Sequence, residues 1–230
     1  MEAQPHTYFG RWREQAREPA LTILLVLEII VIFVVIPHGG LALYALHISQ
    51  TLVASWVVIV AIALIAPNRA ALVATIVAGV VTAIADFFRY AWPSELNTLM
   101  FLCVVLLFLG VLTAVVGYVV FGSGRVTAHR IQGAVVIYLH LAVIFTYVYA
   151  IILRLSPGAF GDALTTADPA VGAKLLYFSF TTLTTVGYGD IAPVHHYARS
   201  FANLEAIFGQ LYPATLLARI VTLQLAARSR

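Results

Sequence analysis

The sequence predicts an all-α integral membrane protein, with six transmembrane helices and one shorter re-entrant helix followed by a glycine-containing loop. Hydrophobic residues make up 62% of the 230 residues and charged residues only 10%, whereas a soluble domain carries about 25% charged residues. The apolar residues gather in six segments, each near the ~20 residues that cross the hydrocarbon core of a bilayer. Proline, glycine and polar residues separate these segments.

The segments predict two domains. Residues 1–19 are polar, and the spacing of their aromatic residues favours a cytoplasmic helix lying at the membrane interface; a disordered tail is the alternative. The first segment lacks a cleavage pattern and is predicted to be a retained helix. A four-helix domain (20–121) and a cytoplasmic linker (122–130) precede a second domain (131–226). The predicted spans are 20–36, 41–66, 70–92, 98–121, 131–153 and 198–222, with the re-entrant helix at 172–184 and the loop at 185–190.

The basic residues predict the orientation, because short cytoplasmic loops carry an excess of lysine and arginine. Nine lie on the side of the N-terminus and four on the opposite side. Both termini are therefore expected in the cytoplasm of a multi-pass protein of the cell membrane, with the loop at 185–190 outside. The nine are Arg11, Arg13, Arg17, Arg69, Arg125, Arg130, Arg219, Arg228 and Arg230; the four are Arg89, Arg154, Lys174 and Arg199.

Composition argues against several other classes of protein. The net charge of +3 comes from basic residues scattered at segment ends, so no nucleic-acid partner is expected. One cysteine, Cys103, excludes an intrachain disulfide. The seven histidines show no metal-ligand spacing, and no nucleophile is paired with a base. We expect neither an enzyme nor a cofactor.

The run Thr185-Val186-Gly187-Tyr188-Gly189 is unusual in so apolar a chain. Gly187 and Gly189 can take positive φ at little steric cost, so consecutive carbonyls from Thr185 to Tyr188 can face one side. Such carbonyls, together with the Thr185 hydroxyl, can replace the water shell of a cation. An ordinary glycine-rich membrane loop is the alternative, although irregular backbone at membrane depth survives only where it is buried in protein or lines a cavity.

This run resembles the selectivity filter of potassium channels, which reads TVGYG. The resemblance implies passive, selective K+ conduction, with K+ held at Thr185, Val186, Gly187 and Tyr188, and Gly189 completing the filter. It also implies a homotetramer around one axis, in contact with membrane lipid. Asp190 resembles the acidic residue at the outer mouth. We call residues 185–190 the filter loop and residues 172–184 the pore helix.

The residues expected to support the filter loop depart from those of relatives. Tyr177 and Phe178 stand where relatives often carry two tryptophans, and Phe178 cannot donate a hydrogen bond. Thr181 stands where some relatives have a carboxylate. Glu205, an ionisable group inside a membrane helix, predicts a functional or paired site. Its carboxylate is expected to accept hydrogen bonds from Thr181, Thr182 or a neighbouring chain; a location facing water is the alternative.

The last helix carries a predicted hinge. Relatives have a glycine near the middle of this helix, which Gly209 matches, and Pro213 removes the hydrogen bond to the Gly209 carbonyl. Bending at 209–213 would put an intracellular gate near Thr215, Leu216, Ala218 or Ile220. A static kink without a gating role is the alternative.

The first four helices lack the charges of a voltage sensor. Residues 98–121 contain no arginine or lysine, so steep voltage gating is not expected. Asp86 and Arg89 are predicted to pair locally. Glu28 has no obvious basic partner; protonation, a hydrogen bond to threonine or histidine, and a ligand or lipid site all remain open. The other functional interpretation is a non-conducting sensor or regulatory subunit built on a channel-like pore.

Overall fold

The computed structural model describes residues 20–36, 68–122 and 127–228, apart from the side chains of residues 220 and 223–228. The predicted interfacial segment 1–19, the predicted span 41–66 and part of the linker lie outside these residues. The helices are α1 (Ala20–Val35, π-helical over Val31–Val35), α2 (Arg69–Ala91), α3 (Glu95–Phe121), α4 (Ala128–Leu155), α5 (Val171–Leu183) and α6 (His196–Arg228), with a short strand β1 at Ala159–Asp162.

Three helices begin where the sequence places a polar break. The side chains of Asn68, Ser94 and Thr127 accept hydrogen bonds from the backbone N–H groups three residues later, at 2.7, 3.1 and 3.4 Å. Each bond satisfies one of the four N–H groups that a helix leaves free at its start. These side-chain caps therefore fix the starts of α2, α3 and α4.

The described part of the chain confirms a helical membrane protein in outline. The helices α2, α3 and α4 are each long and apolar enough to cross a bilayer, and α1 is a shorter apolar helix. The predicted sixth span, α6, carries Glu205, Gln210 and Arg219 among its apolar residues and is not among these three. Its helix extends beyond the predicted 198–222, and α4 likewise extends beyond the predicted 131–153.

The helix α4 connects the two halves of the fold. On one side α3 packs along α4 and also contacts α2. The helices α2 and α3 therefore lie against α4 of their own chain. The residues buried in α3 are all apolar. On the other side α4 contacts α5 and α6, which also contact each other. The filter loop therefore lies at the end of a helix that two longer helices support.

The segment between α4 and α5 holds a structure that was not predicted. In β1, Ala159 and Phe160 are buried, and the Ala159 carbonyl accepts the N–H groups of Val194 (2.9 Å) and His195 (3.2 Å). These bonds tie the segment before the pore helix to the segment after the filter loop. The ends of the loop that holds the pore helix are thus joined to each other.

Asp168 holds the turn before the pore helix. The Asp168 carboxylate accepts the Ala170 N–H at 2.8 Å and the Lys174 ammonium at 2.6 Å. The Lys174 side chain and, next, the Ala170 N–H hold the pKa of Asp168 below its ordinary value. The re-entrant helix then runs from Val171 to Leu183, one residue earlier at each end than predicted.

Candidate functional site

The C-terminal end of the pore helix is capped by the chain that follows it. An α-helix leaves its last four carbonyls without helical partners. Here the backbone N–H groups of three later residues and one tyrosine hydroxyl occupy them. The carbonyl of Phe180 accepts a hydrogen bond from the Thr184 N–H at 3.0 Å, and the carbonyl of Thr181 accepts one from the Gly187 N–H at 3.1 Å. The carbonyl of Thr182 accepts one from the Thr185 N–H at 2.9 Å, and the carbonyl of Leu183 accepts one from the Tyr138 hydroxyl at 3.3 Å.

These bonds orient the first carbonyls of the filter loop. In a trans peptide the N–H and the carbonyl point in opposite directions. The N–H groups of Thr185 and Gly187 point back into the pore helix, so the carbonyls of Thr184 and Val186, which share those two peptide units, point away from it. Two oxygens separated by one residue thus face the side on which a cation would lie.

Positive φ recurs at every second residue of the filter loop. Thr185, Gly187 and Gly189 have φ of 59°, 55° and 82°. The two glycines behave as predicted, whereas Thr185 is the only non-glycine residue of the described chain with positive φ. This conformation is strained for a β-branched residue. The Gln210 amide of α6 donates to the Thr185 hydroxyl at 3.1 Å and so helps to hold it.

The filter loop is open to solvent on the side away from its own chain. Residues 184–190 are all exposed, and Tyr188 keeps 72% of its surface. Irregular backbone at membrane depth is tolerated only where protein buries it or where it lines a water-filled cavity. The surface of a single chain therefore leaves this loop incomplete.

Tyr177 provides the layer behind Tyr188. The two rings are parallel, with centroids 6.2 Å apart, and the Tyr177 hydroxyl donates to the Asp190 carboxylate at 3.2 Å. The donor that Phe178 lacks is thus supplied by its neighbour. Phe178 instead is buried against the rings of Tyr149 (5.0 Å) and Phe160 (5.2 Å), which anchors the pore helix to α4 and β1.

Glu205 has different partners from those predicted. Its carboxyl is completely buried and lies 2.5 Å from the Ser179 hydroxyl and 2.5 Å from the Tyr149 hydroxyl. The predicted Thr181 bonds to the Phe178 carbonyl of its own helix at 2.9 Å. The Thr181–Thr182 prediction was wrong because Ser179 and Leu183, four residues apart, form the face of α5 that meets α6. Complete burial also excludes the alternative in which Glu205 faces water.

Gly209 lies where α6 passes the end of the pore helix. A Cβ at this position would be 1.8 Å from the Leu183 carbonyl oxygen. A glycine is therefore required by packing, whether or not the helix bends there. Pro213 lies inside a continuous α6.

The residues near the predicted gate are held to their surroundings. The Tyr212 hydroxyl donates to the Ala134 carbonyl at 2.8 Å, and Leu216 packs against the apolar cluster of α1, α3 and α4. The Thr215 hydroxyl bonds to the Leu211 carbonyl at 2.8 Å.

Glu28, for which the sequence leaves several interpretations open, lies beside a histidine of α4. Glu28 Oε1 lies 2.6 Å from His140 Nε2 of α4, and His140 Nδ1 lies 3.2 Å from the Thr113 hydroxyl of α3. The Glu28–His140 contact is short but is not aligned as a hydrogen bond. The predicted Asp86–Arg89 pair is confirmed, with Nε 3.0 Å from Oδ1.

Sequence reasoning missed four side chains that support the site: Tyr138, Tyr149, Ser179 and Gln210. Tyr138, Tyr149 and Ser179 carry hydroxyl groups inside the apolar helices α4 and α5. A polar group in such a helix is the signal that could have identified them. No group of three or more His, Cys, Asp or Glu side chains able to hold a metal occurs among the described residues. The candidate cation ligands are the backbone carbonyls of Thr184 and Val186, which point away from the pore helix.

The elements that build this site coincide with a region of known similarity. Residues 135–224 match a protein family described as "Ion channel". The match takes in the pore helix, the filter loop and most of α4 and α6, and together with the apolar helices it supports an ion channel in a membrane. Comparisons with curated proteins and with solved structures return no match.

Proposed function

We propose that this protein is a potassium-selective channel that conducts K+ passively through its filter loop. The observation that carries the proposal is the backbone of the loop, with positive φ at Thr185, Gly187 and Gly189 and with N–H groups turned into the pore helix. Carbonyls turned the other way can replace the water around a desolvated K+. The ion-binding residues are Thr185, Val186, Gly187 and Tyr188, and Asp190 lies at the outer mouth.

The proposed assembly is a homotetramer in the cell membrane. One loop per chain cannot surround an ion, and the exposed side chains of Val186 and Tyr188 need protein around them. Four copies of the loop around one axis meet both needs. The proposed orientation, with both termini in the cytoplasm, rests on the distribution of basic residues. Because α3 contains no arginine or lysine, conduction is not steeply voltage-dependent.

The proposed gate lies below Pro213. Gly209 is pressed against the Leu183 carbonyl, so the upper part of α6 moves with the pore helix. Pro213 leaves the Gly209 carbonyl without its helical partner, which weakens the helix beyond that contact. Bending there displaces Thr215 and Leu216. An open probability that is unchanged in Pro213→Ala would contradict this hinge.

The test is K+ flux from liposomes that contain purified protein and hold a potassium gradient. We expect flux that barium blocks and that Na+ does not carry. Gly187→Ala should abolish it, because alanine is strained at φ +55°. Gly172→Ala in the pore helix is the matched control, since it also adds a Cβ into open space but at a residue without positive φ. If no K+ flux occurs under any of the conditions tested, the protein is better explained as a non-conducting sensor or regulatory subunit.

A further inference from the structure

A chain of polar contacts joins three helices behind the filter loop. The Ser179 hydroxyl of α5 lies 2.5 Å from Glu205 Oε1 and 2.7 Å from the Ala142 carbonyl of α4. The Tyr149 hydroxyl of α4 lies 2.5 Å from Glu205 Oε2. The hydroxyls and the carboxyl group are the only members that can carry a proton, because a carbonyl oxygen accepts only.

Counting protons shows what the chain of contacts requires. Three close oxygen–oxygen contacts each need one proton between the two oxygens. Tyr149 supplies one and Ser179 supplies one, so an ionised Glu205 would leave two protons for three contacts. With Glu205 protonated, the carboxyl donates to Ser179, Ser179 donates to the Ala142 carbonyl, and Tyr149 donates to the other carboxyl oxygen. Every contact then holds a proton.

The surroundings of Glu205 favour the same state. The residue is completely buried, and an isolated carboxylate is costly to bury without a cation. In the part of the chain that the structure describes, Glu205 forms no ion pair with Lys, Arg or His. The titratable groups that face it are Tyr138 and Tyr149 of α4, and α5 contributes the uncharged Ser179.

We propose that Glu205 is held as a neutral carboxylic acid and acts as a positioning residue that fixes the pore helix between α4 and α6. Ser179 lies one helical turn before Leu183, whose carbonyl touches Gly209 of α6. Loss of the proton would make one contact repulsive and loosen α5 from its two neighbours. The effect on conduction rests on the proposed function, whereas the protonation state does not.

The sign of the pH dependence follows. A glutamate in the unfolded chain is ionised above about pH 4.3, so the folded protein binds one proton more than the unfolded chain at neutral pH. Stability then falls as pH rises. We expect wild-type protein to become less stable on alkalinisation, with K+ flux falling in parallel.

Infrared spectroscopy of the full chain in lipid tests the protonation directly. We expect the carbonyl stretching band of a protonated carboxylic acid at neutral pH, lost in Glu205→Gln and lost reversibly in wild type at high pH. Glu95→Gln is the matched control, because this exposed carboxyl should contribute no such band. A wild-type spectrum without the band overturns the proposal, and this measurement does not depend on the folding of any variant.

Flux and stability then test the positioning role. The glutamine amide can donate to Ser179 and accept from Tyr149, so Glu205→Gln should keep wild-type flux at neutral pH and lose the alkaline decline. An equal decline in wild type and Glu205→Gln overturns the positioning role. If the band is present but wild type conducts at no pH, the proposed channel function fails while the proton on Glu205 stands.

Discussion

The two halves of the chain are held together in different ways. In α1–α3 the buried residues of the central helix, α3, are all apolar. In α4–α6 short polar contacts meet around the end of the pore helix: Ser179 and Tyr149 with Glu205, Tyr138 with Leu183, and Gln210 with Thr185. Apolar packing stabilises helices in proportion to the surface that it buries and has no preferred direction. Hydrogen bonds require particular distances and angles, so they fix the positions of individual atoms. The half that must place carbonyl oxygens joins its helices by directional contacts.

Polar contacts also join the two halves, such as that of the Thr22 hydroxyl of α1 with the Gln132 side-chain carbonyl of α4 at 2.5 Å. Glu28 of α1 meets His140 of α4, and both are buried. The first helices are therefore attached to α4 by polar contacts as well as by the apolar cluster that α1, α3 and α4 share.

The largest effect is expected at the closest approach in the pore half. In Gly209→Ala the new Cβ would lie 1.8 Å from the Leu183 carbonyl oxygen. That oxygen is a backbone atom and the Cβ is bonded directly to the backbone, so neither can turn away. We expect a loss of about 4 kcal/mol or more in the free energy of unfolding, within the exceptional range for one substitution. Thermal unfolding of the purified protein in detergent measures it.

Gly110→Ala in the apolar half is the control for that variant. No atom lies within 4 Å of the Cβ that it adds, and alanine is the better helix former by about 1 kcal/mol. We expect unchanged or slightly higher stability. Equal unfolding temperatures for the two variants would show that α6 is not pressed against the pore helix.

The next effect is expected where the two halves meet. His140→Leu leaves the buried Glu28 carboxyl without its partner, and breaking a buried pair in this way costs about 3 kcal/mol. Glu28→Leu combined with His140→Leu removes both groups and should recover most of the loss. A double-mutant cycle on unfolding free energies measures the coupling. Additive losses would mean that the two residues do not interact.

The features of the site that the sequence predicts are those set by local chemistry. Gly187 and Gly189 take positive φ at little cost because they lack a Cβ. The breaks between helices fall at polar residues such as Asn68 and Ser94, whose side chains cap the helix that follows. These conformations depend on a few neighbouring residues. The breaks, the pore helix and the filter loop could therefore be located from the sequence alone.

The partners of Glu205 could not be predicted in the same way. Ser179 and Tyr149 lie 26 and 56 residues from it along the chain, so their meeting depends on how three helices cross. Spacing along a helix gives its faces but not which face meets which neighbour. The role of Gly209 was missed for the same reason, since the distance from α6 to Leu183 is a property of the packed helices.

A smaller effect is expected from the layer behind the filter loop. Tyr177→Phe keeps the ring against Tyr188 and removes the hydrogen bond to Asp190. We expect folded protein with reduced selectivity for K+ over Na+, measured as a shift of reversal potential in planar bilayers. Tyr118→Phe is the control, because Tyr118 lies exposed on α3. Equal selectivity in both variants would show that ring stacking alone holds Tyr188.

The smallest effect is expected from an exposed polar contact in the pore half. It tests whether the contribution of a polar contact to stability depends on burial and not on its location in α4–α6. Lys174→Met removes the ammonium beside Asp168, so the pKa of that carboxyl should return towards its ordinary value near 3.9. A lowered pKa in the folded state adds stability above the unfolded pKa, and this stability is lost as pH falls through the folded value. Solvent and salt screen the exposed Lys174–Asp168 pair. The unfolding temperature of wild type at pH 7 should therefore be only slightly higher than that of Lys174→Met. That difference should shrink as the pH falls below the ordinary pKa of an aspartate, in melts recorded during acidification. A difference that grows instead would contradict the assignment of the lowered pKa to Lys174.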